Sequence, residues 1–118
     1  MLALAVAAMP LAAADAMNVA TFLEKGEPLM KKGAFALFSS DFKLLKREIE
    51  QASAQLRTER LAAEKAGRKP SYCPPAKSGL SPEEIMAGMR AVPVTQRQRA
   101  DVKDGLRIAL VRKFPCGG

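Results

Sequence analysis

Apolar positions in the middle of the chain recur with the period of a helix. Phe38, Phe42, Leu45, Ile49, Ala52 and Leu56 follow one another at steps of four, three, four, three and four, which places them on one stripe of a 3.6-residue repeat. The spacing predicts a long helix after Gly33, entered through the Ser39-Ser40-Asp41 cap, with Phe42 and Leu45 in the core. Beyond Leu56 the pattern turns polar, with Arg57, Glu59, Arg60, Glu64 and Lys65 interleaved in sign up to Gly67; that stretch is expected to project into solvent. Upstream, Thr21-x-x-Glu24 has the form of a capping box opening a shorter helix. Lys31 and Lys32 suit its C-terminal dipole, Gly33 ends it, and Pro28 is a candidate kink.

Pro70-Ser71-Tyr72-Cys73-Pro74-Pro75 cannot continue a helix, because its prolines remove donors and force extended backbone before them. The short flanking segments and the cysteine favour a packed hinge over a flexible interdomain linker. Ser81-Pro82-Glu83-Glu84 then starts a helix, with Ser81 as cap and Glu84 closing the capping box. It carries Ile85, Met86 and Met89 and ends before Pro93. Thr95-x-x-Gln98 is the expected start of a last helix, with Val102, Leu106, Ala109 and Leu110 on one face and Ile108, Val111 and Phe114 broadening it. No internal repeat is evident, and the fold class expected is all-α, a small bundle of about four helices.

Composition sharpens this picture. A chain of 118 residues with 48% hydrophobic and 26% charged positions suits one folded domain. Plentiful Ala, Leu, Lys, Arg and Glu argue for helix over sheet. Residues 1–16 form an apolar run too short for a permanent membrane span, closing on Ala14-Asp15-Ala16, a small-x-small cleavage pattern. They read as a signal peptide, with a buried N-terminal helix as the alternative; no Lys or Arg opens the run, which leaves a start upstream of Met1 open. Cleavage after Ala16 gives a mature domain of residues 17–118, exported to the periplasm. Loss of Asp15 leaves 11 carboxylates against 19 basic side chains, so the charge rises from +7 to +8.

The absence of histidine removes the commonest general base, metal ligand and nucleophile partner, so no enzyme activity, metal or cofactor is expected. In an oxidising compartment two cysteines most simply pair, and a Cys73–Cys116 clasp would stabilise the fold by about 4 kcal/mol. A reactive thiol or a bridge between protomers remains the alternative. Glu83 and Glu84 sit side by side where a helix dipole favours them, not across a cleft as a catalytic pair would. Ser39 and Ser40 are explained as caps, and Met30, Met86 and Met89 as core filler, over a nucleophile and an adaptable groove. Arg90, Arg97, Arg99, Lys103 and Arg107 cluster on the last two helices, with Arg68 and Lys69 at the hinge. A solvated face accounts for most such charge, but Arg68, Lys69, Arg97 and Arg99 are the candidate partner-binding residues, for a protein or an anionic envelope surface. Without interleaved aromatics or a helix-turn-helix, nucleic acid is not the expected partner.

The C-terminal half carries a more specific pattern: Tyr72-Cys73-Pro74-Pro75, then Leu80-Ser81-Pro82-Glu83-Glu84-Ile85, Pro93, and the closing Phe114-Pro115-Cys116. Over roughly residues 70–116 this resembles the Rap/Tai family of small periplasmic immunity proteins, which protect bacteria against peptidoglycan amidases delivered by type VI secretion. The resemblance implies a helical, exported fold with a Cys73–Cys116 disulfide and an amidase effector as protein partner. It also implies inhibition by occlusion of the active site, in some members as a homodimer. The N-terminal half departs from the family pattern, since it has no further cysteine and carries Ala36-Leu37-Phe38-Ser39-Ser40-Asp41-Phe42 where a Gly-Tyr helix is usual. The alternative expected function is a structural or stress-related envelope protein that binds anionic lipid or wall polymer through its positive charge.

Overall fold

The computed structural model describes residues 16–117. The expected signal peptide, apart from Ala16, lies outside the described residues. Helix α1 (Val19–Lys32) is entered through Asn18, whose side chain accepts from the Thr21 amide at 2.7 Å. Asn18 therefore does the capping expected of Thr21, because the Asn side chain reaches the third amide and starts the helix three residues earlier. Two further amides at this end are satisfied from far along the chain: Val19 N–H donates to the Ala100 carbonyl at 2.9 Å and Ala20 N–H to that of Arg97 at 3.0 Å. The α1 start is thus a tertiary contact as much as a local one.

Gly33, with φ of 60°, releases the chain from α1 into a 3-10 turn, Gly33–Phe38. Ser39 then accepts from the Asp41 amide and opens α2 (Ser40–Lys65), 26 residues long and so about 39 Å. Its stripe is seated as the spacing predicts from Leu45 through Ala52 to Leu56, all buried, with Phe42 and Ile49 packed against the core. Phe38 is the exception. It belongs to the 3-10 turn and is 85% exposed, because the Ser39 cap resets the helical phase after it.

The polar end of α2 is largely exposed to solvent, as expected, with Arg57, Glu59, Glu64 and Lys65 all on the surface. It is nevertheless tied to the fold, since Ala63 is buried and Glu59 meets Lys103 of α4 at 2.7 Å and Arg107 at 3.0 Å. The helix is released at Ala66 and Gly67, the latter at φ 76°.

Helix α3 (Pro82–Arg90) has the full Ser81–Glu84 capping box. Helix α4 (Val102–Lys113) starts seven residues after Thr95, at Asp101 and Asp104, which cap one another reciprocally at 3.0 and 3.1 Å. Val94–Gln96 is only a 3-10 turn. The reciprocal Asp pair satisfies amides at the helix start on both sides, which Thr95 does not. Helices α3 and α4 meet closely at Gly88 and Gly105: a Cβ on Gly88 would stand 2.5 Å from the Gly105 carbonyl, and one on Gly105 would strike Met89 Sδ. The core of this all-α bundle, four helices among the described residues, is completed by Val19, Phe22, Met89, Leu106 and Tyr72.

The hinge is packed, as expected. Tyr72 is buried, and the Cys73 amide donates to the Phe114 carbonyl at 2.8 Å. Cys73 and Cys116 form the disulfide, their Cα atoms 4.9 Å apart. No helix among the described residues is long and apolar enough to cross a membrane.

Candidate binding surface

The four basic residues singled out in the sequence do not share a surface. Arg68 and Lys69 are exposed just beyond the end of α2, beside Pro70, whose carbonyl lies 3.4 Å from Cys116 Sγ. Arg97 and Arg99 lie at the other end of α4, beside the start of α1, where the Arg97 carbonyl receives Ala20 N–H. The two pairs thus sit toward opposite ends of the 12-residue α4, a helix about 18 Å long. Arg97 is also occupied structurally. Its guanidinium donates to the Val92 carbonyl at 2.9 Å and the Arg90 carbonyl at 2.8 Å, capping the end of α3. Arg99 is exposed and makes one long contact, 3.5 Å to the Thr95 carbonyl.

Much of the remaining basic charge is paired. Arg90 meets Glu27 in a two-pronged contact at 2.8 and 2.9 Å, and Lys113 meets Glu84 at 2.9 Å. Each pair holds its carboxyl below the ordinary range. For Glu27 the main cause is the Arg90 hydrogen bond; for Glu84 it is the Ser81 backbone amide, then Lys113; for Glu59 it is the Lys103 hydrogen bond. These pairs connect α1 with α3, α3 with α4 and α2 with α4. They are better explained as cross-braces than as a recognition surface.

What sequence reasoning missed is the apolar ledge between α1 and α2. Phe35 is 78% exposed, Leu37 57% and Phe38 85%, while Ala36 between them is buried and anchors the turn. In a 3-10 turn residues three apart eclipse, so Phe35 and Phe38 stand one above the other on one edge. The turn is fixed at both ends, by Gly33 and by the Ser39 amide, which donates to the Ala36 carbonyl at 2.9 Å. Lys32 and Lys43 flank it in the chain, exposed and in no ion pair among the described residues. A signal for the ledge was present in Gly33-Ala34-Phe35-Ala36-Leu37-Phe38: three large apolar residues in a segment too short, between a terminator and a cap, to bury them.

On the hinge side lies an open cleft of about 680 Å³. Leu80, Ile85 and Leu110 are among its apolar lining, and Arg57, Arg60 and Lys77 are its basic residues. The Arg60 guanidinium sits 5.7 Å from the Tyr72 ring centroid and pairs with Glu64 at 3.3 Å. Among the described residues no group of three or more Cys, Asp or Glu is placed to hold a metal ion.

Comparison of the chain with protein-family models, with curated proteins and with solved structures finds no match.

Proposed function

We propose that the chain is an exported, non-catalytic binding protein of the bacterial periplasm, immunity-like, which inhibits a peptidoglycan amidase effector by covering its active-site cleft. The ledge is the part that enters the cleft. The observation that carries this reading is the exposure of Phe35, Leu37 and Phe38 on a turn fixed at both ends. Exposed large apolar groups in one patch mark interaction sites more often than chance surface. Aromatic anchors held rigid before contact lose little freedom on binding. The helical fold stapled at Cys73 and Cys116 agrees with what the resemblance to the Rap/Tai family implies, and the lack of histidine is consistent with a protein that blocks chemistry instead of performing it.

The test is capture from the periplasm with tagged, oxidised mature protein, followed by an amidase assay on whatever is retained. The expected result is a cell-wall amidase held in stoichiometric amount and inhibited in proportion to added protein, with both effects lost in a Phe35→Ser/Phe38→Ser variant. Amidase activity unchanged by excess protein would overturn the reading.

A second reading is favoured by one observation, the unpaired Lys32 and Lys43 beside the aromatics. That combination of cations and apolar wedges also suits an anionic lipid surface. Salt-sensitive co-sedimentation with vesicles containing phosphatidylglycerol, but not with purely zwitterionic ones, would select it.

A further inference from the structure

The entry of the chain into α1 is held on both sides of one residue. The Met17 carbonyl accepts from the Val102 amide at 3.0 Å, and the Met17 N–H donates to Glu48 Oε1 at 3.1 Å, across 31 positions of sequence. Glu48 is half-buried on α2 and has no cationic partner among the described residues. A carboxylate has room for about four donors, and a neutral amide is a weaker one than a charged group.

The surroundings favour a cation at this point. Ala16 borders a cleft of about 370 Å³ that is also lined by Glu48, Asp101, Lys103, Gln51 and Gln55. Its one cation, Lys103, is already engaged by Glu59 at 2.7 Å. The Asp101 carboxylate is taken up by the Asp104 amide, so Glu48, which already holds the Met17 nitrogen, is the cleft carboxylate left without a charged or capping partner among the described residues.

The sequence supplies a cation there. The small-x-small pattern Ala14-Asp15-Ala16 ends at the peptide bond whose nitrogen Glu48 already holds. Hydrolysis of the Ala16–Met17 bond takes up one water: the hydroxyl goes to the Ala16 carboxyl and a proton to the Met17 nitrogen. The new amine binds a further proton at neutral pH and becomes an α-ammonium.

We propose that Glu48 is the receptor for this processed N-terminus, so that cleavage after Ala16 replaces a neutral hydrogen bond with an ion pair and fastens α1 to α2 only in the mature protein. The inference rests on the export reading above. It assigns the cleavage bond and gives Glu48 a role that no other contact explains. The unprocessed chain, lacking the charge, folds with a looser α1 start, which suits a polypeptide that must be translocated before it is fully stable.

The test has two parts. The intact mass of the protein recovered from the periplasm after expression of the whole chain is expected to begin at Met17. A mature form beginning elsewhere overturns the assignment, since its amine would not stand beside Glu48. Purified oxidised protein beginning at Met17 is then compared with its N-acetylated form, in the wild type and in Glu48→Gln, by thermal melting. Acetylation is expected to lower the wild-type Tm by about 4 °C and to leave Glu48→Gln unmoved. An equal drop in both, or none in either, overturns the pairing. A chain that never leaves the cytoplasm sinks the export reading and the inference with it. A chain cut at Ala16 without coupling sinks the Glu48 pairing alone.

Discussion

Two of the corners that join successive helices of this bundle are built in opposite ways. At α3 and α4, Gly88 and Gly105 let two backbones approach until no Cβ would fit, and Arg97 caps the preceding helix with its guanidinium. At α1 and α2, the turn Gly33–Phe38 buries Ala36 and leaves Phe35, Leu37 and Phe38 in solvent. The first corner uses its residues to hold the fold. The second carries the largest exposed apolar side chains in the described structure and uses them for no internal contact that would account for them. Folding explains one corner; a partner is needed to explain the other.

The largest expected effect lies on the side that holds the fold. The disulfide joins the hinge to the end of α4, with Cys73 and Phe114 also linked through the backbone. A Cys73→Ser/Cys116→Ser variant is expected to lose about 4 kcal/mol, from the freedom restored to the unfolded chain. Urea unfolding of the variant against the oxidised wild type measures this. A loss under about 1 kcal/mol would break the contrast, because the half of the molecule that holds the fold would then owe little to its staple.

Next comes Gly88→Ala, which places a methyl group 2.5 Å from the Gly105 carbonyl and 2.8 Å from Ala109 Cβ. Backbone cannot move aside as a flexible side chain can, so α3 and α4 must separate. Overpacking of this kind costs about 1–3 kcal/mol, and it outweighs the gain of about 1 kcal/mol in helix propensity only if the crossing is rigid. A melting temperature lower by several degrees is the expected result. An unchanged or higher one would mean that the corner yields, and that the two corners differ less than the geometry implies.

A smaller effect is expected from the brace between α2 and α4. Lys103 and Arg107 hold the Glu59 carboxyl below its ordinary range. A carboxyl lowered in the folded state contributes stability that is complete above its unfolded pKa and is lost as pH falls through the folded value. Acidification through that window should therefore destabilise the wild type more than Glu59→Gln. Because the side chains are partly solvated, the difference at neutral pH is expected to be only about 0.5–1 kcal/mol. Denaturant midpoints of both proteins across the acid range check it, and parallel curves would remove Glu59 from the stability argument.

The same two corners show what was legible in the chain. Ser81-Pro82-Glu83-Glu84 announces α3 because every signal in it is local, and the structure keeps all of them. Leu45, Ala52 and Leu56 were legible because periodicity survives along a long helix. Asp101 is hard to read as the cap of α4 because an Asp at the third position is a less familiar closing partner than Gln or Glu. Phe38 continued the arithmetic of the stripe but stands before the cap, where the phase restarts. Arg97 reads in the sequence as a candidate partner contact, because the carbonyls it caps come together only in the tertiary fold. Of the candidate surface, the cations were legible as types but not as places, and the ledge was legible only as a surplus of apolar residues in a turn.

The smallest expected effect on stability is also the one that bears most directly on function. In a Phe35→Ser/Phe38→Ser variant no core contact is lost, since both rings are more than three-quarters exposed and Ala36 still anchors the turn. The unfolding free energy should stay within about 0.5 kcal/mol of wild type. Affinity for the captured partner should fall at least tenfold, because paired aromatic anchors at the centre of an interface typically contribute about 2 kcal/mol or more. Measuring both quantities on one preparation separates the corners cleanly. Lost binding with intact stability assigns the ledge to recognition. Lost stability would mean that the rings support the turn from outside, and retained affinity would move the search to the hinge cleft lined by Arg57 and Lys77.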